Sequence, residues 1–180
     1  MPAETLCVLL CPEFALADYE QIQLWRREHD TARADLLLPH FTLVDPVTGW
    51  NPGEFAREIE ARLPGQNPFE IVLDRAVSHQ DEGGGEVADW LVPGPGREAL
   101  EALQDRLCSG ALAGERRAAP ARRPHITIGR DSDATASQAR VKAINEGELS
   151  IHCLASAVQI VRIKGERVKL LERIPLGRES

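Results

Sequence analysis

Two short stretches of this chain carry the same arrangement of reactive side chains. Pro39-His40-Phe41-Thr42-Leu43 and Pro124-His125-Ile126-Thr127-Ile128 both read Pro-His-apolar-Thr-apolar, and they lie 85 residues apart. In an extended chain, successive side chains point to opposite faces. His40 and Thr42 therefore share one face and Phe41 and Leu43 the other, with the same division at the second stretch. With six threonines among 180 residues, a threonine two places after a given histidine arises by chance about once in thirty times. Two occurrences with apolar flanks among five histidines mark a repeated device. An unperturbed imidazole titrates near pH ~6.5, so one ring can be neutral and its partner protonated at neutral pH. The neutral ring takes a proton from water or a hydroxyl and the charged ring gives one to a leaving oxygen. Each role is worth about 10²–10⁴ in rate. Two threonine hydroxyls donating to the non-bridging oxygens would hold a phosphate between the rings. Facing His/Thr pairs thus suit in-line displacement at phosphorus, with no metal required.

Such pairs face each other only if the rest of the chain repeats as well, and its patterning does. Residues 6–10 form an apolar run ended by Cys11-Pro12, which predicts a buried strand. Residues 14–28 carry Phe14, Leu16, Ile22 and Trp25 among charges and predict an amphipathic helix. Residues 36–44 predict a strand containing Pro39, closed by Pro46 and Gly49. Asn51 is placed to cap a helix that has Pro52 at its first position and ends at Pro64-Gly65. Residues 69–73 and 87–92 predict a hairpin whose tip holds Gly83-Gly84-Gly85. The order then begins again. A helix over 97–107 precedes a strand over 124–129. A helix over 134–145 follows, capped by Asp133 and stopped by Gly147, then a long strand over 151–163 and its hairpin partner over 168–174. Each half therefore reads helix, short strand, helix, strand, strand, with one motif on each short strand.

At these residues the sequence resembles the two-histidine (2H) phosphoesterase superfamily. Its branch of 2′-5′ RNA ligase-like proteins, or RNA 2′,3′-cyclic phosphodiesterases, is the nearest in pattern. The resemblance covers nearly the whole chain through motif spacing and element order. It implies an α+β fold in which a pseudo-twofold duplication builds two lobes. Each lobe has an antiparallel sheet with helices, and the motifs line a central cleft. It implies one domain over residues 1–180, with lobes of about 1–93 and 94–180 in sequence that interleave in space. It also implies His40 and His125 as the acid/base pair, Thr42 and Thr127 as phosphate ligands, and Arg130 as a ligand of phosphate or of the ribose side. The implied reaction is metal-independent hydrolysis of a 2′,3′-cyclic phosphate, on an RNA end or a nucleotide, to a 2′-phosphate. After the first motif this chain reads Val44-Asp45-Pro46-Val47, where the RNA-ligase branch usually continues with an apolar, glycine-containing segment. The substrate therefore stays open. Reversible 2′-5′ RNA ligation, cleavage of 2′-5′ oligoadenylate, cyclic ADP-ribose phosphate chemistry and nucleotide binding with little turnover are the alternatives.

Composition narrows the partners. The 21 basic and 28 acidic residues leave a net charge of −7, and aromatic residues make up 4%. A protein that tracks long nucleic acid carries a broad basic surface and stacking platforms, so a short RNA end or a small nucleotide is the expected ligand. Residues 115–130, around the second motif, hold five arginines, Arg116, Arg117, Arg122, Arg123 and Arg130, against one acid, and Arg122 and Arg123 could steer an anion toward a cleft. Trp50 and Trp90 are candidates for base stacking, with packing the simpler role. His29, His79 and His152 lack the motif and are expected to be surface or strand residues. Cys7 and Cys11 lack a partner pair at zinc-ligand spacing, so neither a metal nor a cofactor is expected. Four cysteines in 180 residues, no apolar run near the ~18–20 residues that span a bilayer and an N-terminus unlike a signal peptide lead us to expect a cytoplasmic monomer. We expect free thiols and no membrane association.

Overall fold

The computed structural model describes residues 4–80, 84–115 and 123–177. Two antiparallel sheets form the frame. The first has the strand order β3-β1-β8-β9, from β1 (Glu4–Leu10), β3 (Phe41–Val47), β8 (Ala157–Lys164) and β9 (Arg167–Pro175). The second has the order β2-β7-β4-β5-β6, from β2 (Glu13–Phe14), β4 (Phe69–Gln80), β5 (Val87–Pro93), β6 (Ile126–Asp131) and β7 (Ile151–Ala155). The helices are α1 (Leu16–His29), the single turn α2 (Thr31–Ala34), α3 (Pro52–Glu60), α4 (Arg97–Leu107) and α5 (Ala134–Glu146). The protein is thus α+β and bilobal, as the motif resemblance implies.

Each sheet draws strands from both halves of the sequence, so the halves interleave. The duplication is clearest when the strand ahead of each first helix is included. β1-α1-β3-α3 and β5-α4-β6-α5 then correspond. In both, the motif strand pairs antiparallel with the strand preceding the helix. Leu9 lies opposite Thr42 and Leu10 opposite Phe41, while Trp90 lies opposite Thr127 and Leu91 opposite Ile126. Both motif strands, β3 and β6, lie at an edge of their sheet.

The apolar run in β1 serves two surfaces. Leu6, Val8 and Leu10 enter the main core, whereas Cys7 and Leu9 join Val161 in a smaller cluster on the other face. Phe41, Phe55, Leu100, Leu103 and Leu107 are fully buried. The expected caps form: the Asn51 side chain accepts from the Gly53 and Glu54 amides at 2.9 and 3.3 Å. Asp133 accepts from those of Thr135 and Ala136 at 2.8 and 3.3 Å. Each satisfies amides that lack an intrahelical partner.

Several boundaries differ from the sequence reading. The strand expected over 151–163 is two strands in different sheets, β7 and β8, with Ser156 carrying the chain between them. No glycine or proline marks that break, because it is the pairing partner that changes, β4 for β7 and β1 for β8. Phe14 belongs to β2, and the first helix starts at Leu16. β3 begins at Phe41 and includes Pro46, so His40 sits just before the strand and Pro46 inside it. Proline is tolerated there because β3 is an edge strand and its pairing with β1 is irregular between Leu6 and Val8, as at a bulge. Similarly, Pro124 and His125 precede β6.

Candidate active site

Both motifs show the same burial rhythm. Pro39 and Pro124 are buried, His40 and His125 half-buried, Phe41 and Ile126 buried, Thr42 and Thr127 half-buried, and Leu43 and Ile128 buried. The apolar positions anchor each stretch, and the His/Thr positions remain accessible. They line one cleft of about 280 Å³ together with Arg26, Asp30, Arg33, Arg123 and Arg130. His40, Thr42, His125, Thr127 and Arg130 are therefore brought together.

The two imidazoles are held alike. His40 Nδ1 is 2.7 Å from the Leu38 carbonyl oxygen, and His125 Nδ1 is 2.7 Å from that of Arg123. A carbonyl can only accept, so Nδ1 carries the hydrogen in both rings and donates it. In the neutral ring the lone pair is then left on Nε2. Neither threonine hydroxyl makes a hydrogen bond among the described residues, so both are available to a ligand. The Thr42 carbonyl accepts from the Gln104 amide at 3.3 Å, tying the first motif to α4.

The site departs from symmetry behind the rings. Trp90 stacks on His125 with centroids 3.7 Å apart and an interplanar angle of 12°. His79 stacks on the indole at 4.0 Å and 20°. The residue matching Trp90 in the first repeat is Leu9, which offers no ring to His40. His79 is a strand residue, as expected, on β4, and it also stacks behind the ring that backs His125. Trp90 takes the packing role, with an imidazole on each face, so the indole is no platform for a base. Trp50 instead packs edge-on against Phe55 at 5.9 Å.

The cleft is positive within an acidic protein. Arg26, Arg33, Arg123 and Arg130 line it against Asp30 and Asp45. Asp30 is 6% exposed and lies 3.4 Å from Arg33 Nη1 and 3.6 Å from Arg130 Nε. Burial pushes its carboxyl above the usual range, against the pull of Arg130 and Arg33. Among the described residues the buried Arg130 Nε makes no hydrogen bond and is held only by its ion pair to Asp30. Arg26 donates through Nη2 to the Leu37 and Arg33 carbonyls at 2.7 and 3.3 Å. It thereby fixes the turn that leads to Leu38 and His40. Sequence reading missed Arg26, Asp30, Arg33 and Gln104, which look like ordinary charges and polar residues on helical segments. The buried face of α1 is Ile22, Gln23 and Arg26, and apolar periodicity does not detect its two polar members. Arg122 and the residues 81–83 of the expected hairpin tip lie outside the described residues.

Burial lowers both imidazole pKa values. His40 is pushed down from its ordinary value, and His125 down to about 4, with the His79 and His40 rings opposing its charge further. The sequence expectation of one neutral and one charged ring at neutral pH is therefore replaced by two neutral rings in the free protein. A histidine with a lowered native pKa binds its proton more readily in the unfolded chain. Its contribution to stability is complete above pH ~6.5 and is lost as pH falls toward the native value. The urea midpoint should therefore decline between pH ~6.5 and ~5, before most carboxylates titrate. His125→Gln should flatten that decline. An unchanged slope in the variant would contradict a neutral, buried His125.

Burial pushes the Cys7, Cys11 and Cys153 thiols up to about 12, 11 and 12, so none supplies a thiolate at neutral pH. Among the described residues, no group of three or more His, Cys, Asp or Glu is placed to hold a metal ion, and no helix is long and apolar enough to cross a membrane.

Two antiparallel sheets with a His/Thr pair from each repeat in one cleft define the class of two-histidine phosphoesterases. The model of the 2′-5′ RNA ligase superfamily matches residues 12–167, and the chain belongs to that superfamily. Among solved structures, Escherichia coli LigT complexed with NADP+ is 20% identical, with a TM-score of 0.60 over 99% of this chain and 100% of that one. A protein described as a phosphoesterase is 21% identical, with a TM-score of 0.60 over 97% and 99%. Kluyveromyces marxianus Usb1 is 13% identical, with a TM-score of 0.54 over 96% and 98%. These likenesses concern the fold. LigT has also been solved with 3′-AMP and with ATP, and Usb1 with uridine monophosphate. No curated protein matches the chain by sequence.

Proposed function

We propose that the protein hydrolyses a 2′,3′-cyclic phosphodiester, on an RNA end or a nucleotide, to a 2′-phosphate. The observation that carries this reading is the pair of identically held imidazoles in one arginine-lined cleft, each with a threonine two residues on. One neutral histidine removes a proton from water through Nε2. The water oxygen attacks phosphorus, the P–O3′ bond breaks, and the other histidine, protonated at Nε2, gives its proton to O3′. The P–O2′ bond survives, and the rings have exchanged protonation states, which solvent resets. Thr42, Thr127 and Arg130 hold the non-bridging oxygens and oppose the charge that builds on them. A bound phosphate anion also raises the pKa of a nearby imidazole, which supplies the charged ring that the free protein lacks. The nucleotides bound by LigT and Usb1 agree with a small ligand or an RNA terminus. RNA processing, metal independence and action as a monomer in the cytoplasm belong to the same proposal.

The test is incubation with 2′,3′-cyclic AMP and with a short RNA ending in a 2′,3′-cyclic phosphate, in EDTA, with the products resolved by chromatography. A 2′-phosphate from the wild type and none from the His40→Ala/His125→Ala double variant is the expected result. A 3′-phosphate product would overturn the assignment of the broken bond. Absence of product from both substrates would redirect the reading to 2′-5′ linkages.

A further inference from the structure

A second cavity adjoins the reaction cleft. It measures about 570 Å³ and is lined by β4, β5 and the start of α4, including Arg75, Arg97 and Glu98. That volume is within the about 300–1,000 Å³ of small-ligand sites. Arg123 lines both cavities, and Trp90, which backs His125, forms a wall of the larger one. The two spaces therefore adjoin along the segment that carries the second motif. Three guanidiniums, Arg75, Arg97 and Arg123, face this cavity against the carboxylates of Glu98 and Glu101. Among the described residues none of the three makes a hydrogen bond or ion pair, in a protein whose net charge is −7.

We propose that this cavity receives the nucleotide on the 5′ side of the cyclic end, with the linking phosphodiester held by Arg75 and Arg97. The inference rests on reading the smaller cleft as a cyclic-phosphate site. A 2′,3′-cyclic phosphate occupies both hydroxyls of the last ribose, so the polynucleotide can continue only through the 5′ oxygen and its phosphodiester. Arg123, common to both cavities, marks where that linkage passes. Guanidiniums bind a phosphodiester by paired, charge-assisted hydrogen bonds. Because both faces of Trp90 are covered, recognition here works through the backbone and is tolerant of base identity. The preferred substrate is then an oligonucleotide end rather than a cyclic mononucleotide.

The experiment compares an adenosine dinucleotide ending in a 2′,3′-cyclic phosphate with 2′,3′-cyclic AMP at low salt. The wild type should show kcat/KM at least about tenfold higher for the dinucleotide, the scale of one charge-assisted hydrogen bond. In Arg75→Ala/Arg97→Ala that preference should fall to about twofold or less. Both arginines are exposed, so the variant is expected to fold. A wild-type ratio near one, or a ratio the same in the variant, overturns the inference. Calorimetric affinities of the 2′-phosphorylated dinucleotide and mononucleotide give the same ratio without turnover. Failure of the proposed hydrolysis is thereby separated from failure of the cavity: a protein that turns over neither substrate still shows, or lacks, an arginine-dependent preference.

Discussion

Alanine at His40 or at His125 is expected to lower turnover of a 2′,3′-cyclic phosphate by about 10²–10⁴-fold, the range of a positioned acid or base. The double variant should be little worse than either single one, because two groups that act as a unit lose their joint function when one is removed. Full additivity would indicate that the rings act independently. Thr42→Ala and Thr127→Ala remove one phosphate donor each and should cost up to about 10²–10³-fold in kcat. Since burial lowers both imidazole pKa values, the free protein holds one charged and one neutral ring only on the acid side of pH ~6.5. The bell-shaped profile of kcat/KM, which reports the free enzyme, should therefore peak below that value. A plateau extending through pH ~8 would count against the two-histidine assignment.

Asp89→Ala should cost about 3–5 kcal/mol of folding stability, the scale of breaking a buried ion pair by removing one partner. Asp89 is 2% exposed. It accepts from the Ser137 hydroxyl and, at 2.8 Å, from Arg140 Nε. Arg140 Nη1 continues to Asp131 at 2.8 Å, so one carboxylate fastens α5 to β5 and, through the arginine, to the end of β6. Gly129 is required by the same packing, because a Cβ there would lie 2.7 Å from Asp89 Oδ2 and 3.0 Å from His29 Cβ. Total stability for a domain is about 5–15 kcal/mol, so the loss should be plain in urea denaturation. Arg27→Ala is the contrast. It removes an ion pair to Asp35 whose side chains are 62% and 75% exposed, and an exposed pair is worth about 0–1 kcal/mol. Equal midpoints for the two variants would remove Asp89 from its structural role.

The motifs were legible because their positions obey a local rule. Alternation along an extended chain places Thr42 and Thr127 opposite Phe41, Leu43, Ile126 and Ile128, whatever lies across the cleft. The caps at Asn51 and Asp133 were readable for a similar reason, since the side chain satisfies amides only two or three residues away. Boundaries set by distant partners were not. Ser156 separates two strands because β4 claims one and β1 the other, and nothing in its local sequence registers that choice.

Residue types and spacing alone determined that each histidine would share a face with the threonine two residues on, and that phosphoryl chemistry suited two such pairs. Only the tertiary structure decided how those groups are tuned. His79 and Trp90 reach His125 from neighbouring strands, and Arg26 fixes the turn before His40 from a helix. Asp30, beside its near neighbour Arg33, meets Arg130 from a strand far along the chain. Burial and electrostatics act through space, over contacts that sequence separation hides. For that reason the protonation of the two rings could be derived only after the sheets had been brought together.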